Sequence, residues 1–303
     1  MSERPVEDRM AGWPEKRRSF DLVEASAKKA AANHSLEVVP PGTTPFAQIP
    51  FELDPVPKII TFDCYGTLVQ WYEVLLSEIN QVLTHQGRTD VDAGEILESF
   101  STEAKRLTAE KPHRLYKEIL RIGFTGAFRQ HGVELEAGEI ERIANSPTTM
   151  GPHADVPDAL RRLRKRYKLA IFTNSDDDLI APTVERIGVP FDYVITAEQA
   201  RTYKPSRDLF DYGYRMMGVT AAETIHVAMG MYWDMKARHE LGFRGIWVNR
   251  RSEDGNPDWL PYAEVPDLAG AAELLLSSPS QGVPSTSGQG YPPPTPLSRP
   301  EVE

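Results

Sequence analysis

The segment 58–68, Lys-Ile-Ile-Thr-Phe-Asp-Cys-Tyr-Gly-Thr-Leu, constrains this chain more than any other stretch. A short apolar run ends on an aspartate, and a Gly-Thr turn follows at once. That pattern reads as a buried strand and its exit loop. In an open α/β sheet, ligands bind where the strands exit. A carboxylate placed there can act as a nucleophile, so this loop marks the chain as a candidate enzyme.

Periodicity extends the reading to the rest of the chain. From 71 to 144 the pattern is helical, with Val74, Leu75, Ile79, Val82 and Leu83 in one stripe and Leu115, Ile119, Leu120, Ile122 and Phe128 in another. Breaks are expected at Gly87, Lys111-Pro112 and Gly132. An all-helical block inserted directly after the first strand reads as a cap. Beyond Pro147, strands are expected over 168–173, 193–196, 224–229 and 245–249. They alternate with helices over 156–167, 179–187, 208–217, 234–241 and 268–276. Asp155 is the expected N-cap of the first of these helices, and Asp176-Asp177-Asp178 reads as an acidic helix start. Such alternation implies a parallel sheet with right-handed crossovers. The expected organisation is an N-terminal extension over 1–56, a core formed by 57–70 and 150–278, a helical cap over 71–149, and a Pro/Ser-rich tail over 279–303. The tail carries too little apolar surface to offset its ordering entropy and is expected to be disordered.

Composition narrows the function classes. The 303 residues carry a net charge of −10 and a pI near 5.3, which leaves no electrostatic footprint for nucleic acid and disfavours anionic membranes. The basic run 161–166 is local and reads as the solvated face and last turn of a helix. Cys64 is the only cysteine, so no internal disulfide forms, in keeping with a reducing compartment. No apolar leader and no run of membrane-spanning length is visible, so the expected location is the cytoplasm. His153, His226 and His239 lack metal-like spacing and read as structural.

Four polar signals recur at strand ends: Asp63 with Gly66-Thr67, Thr173-Asn174, Lys204-Pro205, and Asp234 within Gly-Met-Tyr-Trp-Asp. In a doubly wound sheet these ends converge on one crevice. Asp, Thr, Lys and Asp together suit covalent catalysis, with one carboxylate attacking, a cation holding its charge and a second carboxylate handling water.

This order resembles the haloacid dehalogenase superfamily, and within it the type II, L-2-haloacid dehalogenase branch. The matching residues are 62–68, Tyr203-Lys204-Pro205, Trp233-Asp234, and Gly242-Phe243 leading to Trp247-Val248-Asn249-Arg250. The resemblance implies an α/β fold, a Rossmann-like doubly wound parallel sheet core with an inserted helical cap domain. It implies Asp63 as nucleophile, Lys204 stabilising it, Thr67 and Thr173 hydrogen-bonding the site, and Asp234 positioning or activating water. Cys64, Tyr65, Asn174, Trp233, Phe210 and Met231 fall at substrate-side positions. The implied reaction is hydrolysis of a carbon–halogen bond through an aspartyl ester. The implied substrate is a short carboxylate, with no cofactor and no metal site, in a chain that can pair as a homodimer.

The sequence departs from the pattern in readable places. Phosphatase branches carry an acid/base aspartate where Tyr65 stands and a Mg²⁺-binding aspartate where Gly230 stands. The dehalogenase branch uses a cap arginine where Ser101 aligns, with Lys105, Arg106 and Arg114 as substitutes. Its pocket tyrosine is Phe210 here, and its serine and asparagine are Met229 and Met231. A Mg²⁺-dependent small-molecule phosphatase is therefore the alternative. A non-catalytic scaffold that binds a partner through its extensions is the third reading.

Overall fold

A computed structural model describes residues 53–277. The expected tail, and all but the last residues of the expected N-terminal extension, lie outside the described residues. The chain runs β1 (Ile59–Phe62), α1 (Trp71–His85), α2 (Ala93–Ala109), α3 (Tyr116–Gln130), α4 (Ala137–Asn145), α5 (Val156–Leu163), β2 (Lys168–Thr173), α6 (Asp177–Ile187), β3 (Tyr193–Thr196), α7 (Ala197–Ala200), α8 (Arg207–Met217), β4 (Thr224–Ala228), α9 (Lys236–Leu241), β5 (Gly245–Val248), β6 (Ala263–Val265) and α10 (Leu268–Ser277). The six strands form one parallel sheet in the order β3-β2-β1-β4-β5-β6.

Strand β1 sits in the middle, and every one of its residues is buried. Burial on both faces explains why it is a continuous Ile-Ile-Thr-Phe run rather than an alternating one. Phe62 lies opposite Ile171 of β2 on one side and Val227 of β4 on the other. The order reverses at β1, so the C-terminal ends of β1, β2 and β4 open side by side at a topological switch point.

Between β1 and β2 stand α1 to α4, followed by α5. The expected stripe of α1 is buried at Leu75, Ile79, Val82 and Leu83. Helices α2 and α3 meet through Phe100 and Phe124, whose rings stack with centroids 3.9 Å apart. Ile122, assigned to the stripe of α3, instead lies 44% exposed. At the sheet, Gly213 lets α8 approach β2, because a Cβ there would sit 2.2 Å from Cζ of Phe172.

Several local assignments change for physical reasons. Strand β6 has only three residues and pairs β5 at the sheet edge, too short for a periodic signal. Helix α5 stops at Leu163, four residues before the expected end. Asp155 makes no cap bond to α5; its carboxylate takes Arg250 and the backbone N–H of Leu268 at the start of α10. The acidic start of α6 holds, with Asp177 and Asp178 in its first turn, but the Asp176 carboxylate makes no cap bond there. It accepts from the backbone N–H groups of Tyr116 at 2.7 Å and Lys117 at 2.8 Å, capping α3 from the far side of the sequence.

Candidate active site

Asp63 immediately follows β1, and its backbone N–H still bonds Val227 O of β4 at 3.1 Å. The turn after it requires Gly66, whose φ is +82°. That turn brings Thr67 back, so its hydroxyl donates to Asp63 Oδ2 at 2.6 Å. The same oxygen of Thr67 accepts from the Met229 backbone N–H at 2.8 Å, tying the β1 loop to the β4 loop.

Lys204 is buried, and its ammonium bridges two carboxylates. Nζ lies 2.8 Å from Asp63 Oδ1 and 2.7 Å from Asp234 Oδ1. Asn174 fixes this lysine through its main chain: its Oδ1 accepts from Lys204 N at 2.7 Å and its Nδ2 donates to Lys204 O at 3.2 Å. Asp234 is buried within the π-helical turn Met231–Met235. His226 Nε2 also lies 2.9 Å from its Oδ1, whereas Oδ2 has no hydrogen-bond partner among the described residues. Of the two bridged carboxylates Asp63 is the more accessible, at 8% exposure against 1%.

The electrostatics follow from one cation serving two buried anions. Burial pushes the Asp63 carboxyl above the ordinary range; the Lys204 ammonium only partly opposes this, and Asp234 adds to it. For Asp234 the balance reverses. Burial acts upward, but Lys204 and His226 outweigh it and the carboxyl sits low. Lys204 is held above the usual amine value because its two carboxylates overcome its own burial.

Residues 57–241 match the haloacid dehalogenase-like hydrolases, which is more than half of the chain. The chain belongs to that hydrolase family. The (S)-2-haloacid dehalogenase of Pseudomonas sp. (strain YL) is 25% identical over 226 residues, covering 72% of this chain and 94% of the relative. The 5-amino-6-(5-phospho-D-ribitylamino)uracil phosphatase YigB of Escherichia coli is 23% identical over 240 residues, covering 71% and 95%. The L-2-haloacid dehalogenase of Xanthobacter autotrophicus with chloropropionic acid covalently bound superposes with a TM-score of 0.63 at 19% identity, covering 72% of this chain and 98% of that one. It shares the haloacid dehalogenase fold.

Within this hydrolase the expected site residues separate into groups. Asp63, Lys204, Asp234 and Thr67 come together in one hydrogen-bonded cluster. Thr173, at the end of β2, is fully buried, and its hydroxyl has no partner among the described residues. Tyr65 shares a 2.8 Å hydrogen bond with Ser175 Oγ and stacks on Tyr116 of α3. Trp233 is half-buried and meets Tyr232 edge-on. Met231 packs towards Ala228, Met235, Trp247 and Tyr262. Asn174 was expected on the substrate side, but both polar atoms of its amide are engaged by the Lys204 backbone.

Two expected substrate residues do not line the site. Cys64 is fully buried in the hydrophobic core. Burial also keeps its thiol well above the ordinary value. Phe210 lies on the buried face of α8, 4.8 Å from the ring of Phe243 and 5.7 Å from that of His226. His226 is the residue that sequence alone did not bring to the site. Its one signal is a position in β4, the strand next to β1, eight residues before Asp234.

The cap positions also resolve. Ser101 bonds back to Leu97 O within its own helix. Arg106 pairs with Glu103 and Glu110, and Arg114 with Glu110. Lys105 instead holds its Nζ 4.9 Å from the ring centroid of Tyr232, on the loop that carries Asp234. Among the described residues no group of three or more His, Cys, Asp or Glu side chains is arranged to hold a metal ion. No described helix is long and apolar enough to cross a membrane.

Proposed function

We propose that this hydrolase cleaves the carbon–halogen bond of a short 2-haloacid through an ester on Asp63. A carboxylate oxygen of Asp63 bonds to the α-carbon as the halide leaves with the bonding electrons. Water then attacks Cγ of Asp63, and the Cγ–O bond to the substrate breaks to give the 2-hydroxyacid. Lys204 and Thr67 orient the attacking carboxylate, Asp234 handles the water, and Lys105, whose Nζ lies 4.9 Å from the Tyr232 ring, is the cation assigned to the substrate anion. The reading implies a cytoplasmic enzyme that uses no cofactor.

The observation that carries this reading is steric. A Cβ at Gly230 would lie 2.3 Å from Asp234 Oδ2 and 3.4 Å from its Cγ. The carboxylate of Asp234 therefore fills the space that a side chain at 230 would need. Relatives of the phosphatase kind imply Mg²⁺, but the residues here do not fit it. The position for a second metal-binding aspartate is a glycine, and a side chain there would have to displace the Asp234 carboxylate. Displacement at carbon generates no phosphate dianion and needs no such ligand. Tyr65, in place of a carboxylic acid, is a poor proton donor to a phosphate leaving group, since burial pushes its phenol well above its ordinary value.

The test is single turnover of L-2-chloropropionate in ¹⁸O-water, with mass spectrometry of the Asp63 peptide. Label in Asp63, and chloride release that survives EDTA and disappears in Asp63→Asn, are the expected results. No halide release across a panel of 2-halocarboxylates, with p-nitrophenyl phosphate turnover that EDTA abolishes, would replace this reading with the phosphatase one.

A further inference from the structure

The cluster holds a buried imidazole that the proposed reaction has not used. His226 is fully buried in β4, and its two nitrogens both have partners at 2.9 Å: Nε2 with Asp234 Oδ1 and Nδ1 with Thr61 Oγ1. An ionised carboxylate can only accept, so Nε2 carries the proton. Nδ1 then accepts from the Thr61 hydroxyl, whose other acceptor, Ile225 O, is more distant at 3.4 Å. A neutral imidazole is thus satisfied at both ends. The rings of Phe172, Phe210 and Phe243 surround it with centroids at 6.2, 5.7 and 6.0 Å and fix its plane. The charged groups facing it are Asp234 and, across that carboxylate, Lys204 with Asp63.

We infer that His226 is a positioning residue for ester hydrolysis: with Lys204 it occupies Asp234 Oδ1, and so reserves Oδ2 as the proton acceptor. This rests on the reading of Asp63 and Asp234 given above. Two donors converge on Oδ1, while Oδ2 is buried without a partner and lies against Gly230. A buried, unpaired carboxylate oxygen is costly to keep unless something uses it. His226 matters most after the first half-reaction. Esterification removes the charge of Asp63, and Lys204 loses one of its two anionic partners. The imidazole still pins Asp234 in that state. Water can then bond to Cγ of Asp63 while its proton passes to Oδ2. The Cγ–O bond to the substrate breaks, and the departing oxygen takes that proton from Asp234. Asp63, regenerated as the acid, releases its own proton to solvent.

The test compares His226→Phe, which keeps a ring among the three phenylalanines, with His226→Gln, which restores a side-chain N–H. With L-2-chloropropionate, His226→Phe is expected to release a burst of chloride at near wild-type rate and then turn over about 100-fold more slowly, the scale of a misplaced catalytic group. The Asp63 peptide should carry the substrate mass during this slow phase, and His226→Gln should recover most of the loss. Equal slowing of burst and turnover, or no slowing, overturns the inference. A second readout needs no substrate. In carboxyl ¹³C NMR the Asp234 signal should titrate at higher pH in His226→Phe than in wild type, and an unchanged titration overturns the inference. If wild type releases no halide while this shift appears, the haloacid reading fails and the positioning role stands.

Discussion

One ammonium between two buried carboxylates gives the two aspartates opposite characters, and both are measurable. In the proposed reaction Asp63 must be ionised to attack, yet burial raises its pKa. The acid limb of kcat/KM is therefore expected above the ordinary carboxylate range, with activity falling as pH drops through the raised value; a pH–rate profile checks this. Linkage gives the sign for stability. A carboxyl raised on folding opposes the fold once pH exceeds its unfolded value, and the opposition is complete above its folded value. Asp63→Asn should thus abolish turnover while leaving the neutral-pH melting temperature unchanged or higher. Asp234 is lowered on folding, so its stabilisation is present above the unfolded value and is lost as pH falls through the folded one. Asp234→Ala removes a partner from a buried ion pair and should cost about 3–5 kcal/mol in denaturant unfolding. Asp63, Lys204 and Asp234 were legible in the sequence because each stands among turn residues in a connection that follows a strand. His226 was not, because a histidine inside Thr-Ile-His-Val-Ala reads as core until the strand next to it is known. Asn174 was legible as important, but not that it serves the Lys204 backbone.

Elements with strong periodicity were legible to within a few residues, and their junctions were not. The acids at 155 and 176 sit where capping rules place them, but their partners lie 113 and 60 residues away. No local pattern encodes such a pairing. The contact of α8 with β2 was equally hidden, since a glycine in a helix reads as a weakness rather than a fit. Gly213→Ala tests the fit. Alanine favours the helix by up to about 1 kcal/mol. The added Cβ nevertheless meets the Phe172 ring at 2.2 Å, and overpacking of that kind costs about 1–3 kcal/mol. A net loss of melting temperature is expected in calorimetry, despite the better helix former.

At the scale of the molecule, the inserted helices meet the sheet through polar contacts on both sides of the site. On one side Asp176 caps α3, Tyr203 donates to Arg114 O at 2.7 Å, and Lys117 pairs with Asp178. On the other, Lys105 lies over Tyr232, and Arg251 lies over Tyr72 at 4.0 Å. Asp176 is the buried member, and replacing it removes the cap of a helix that carries Tyr116 against Tyr65. Asp176→Ala should cost about 0.5–2 kcal/mol, as lost caps do. It should also speed hydrogen exchange at the first turn of α3 and raise KM more than it lowers kcat.

The glycine at 230 has a consequence for geometry as well as for chemistry. Because the Asp234 carboxylate fills the place of its side chain, Gly230→Asp should gain no Mg²⁺-dependent phosphatase activity and should lose hydrolase turnover, since the new side chain evicts the old one. If the proposed metal-free reaction holds, a side chain gained at 230 requires the Asp234 carboxylate to turn aside. The choice of residue at 230 thus sets where the carboxylate four positions later can point.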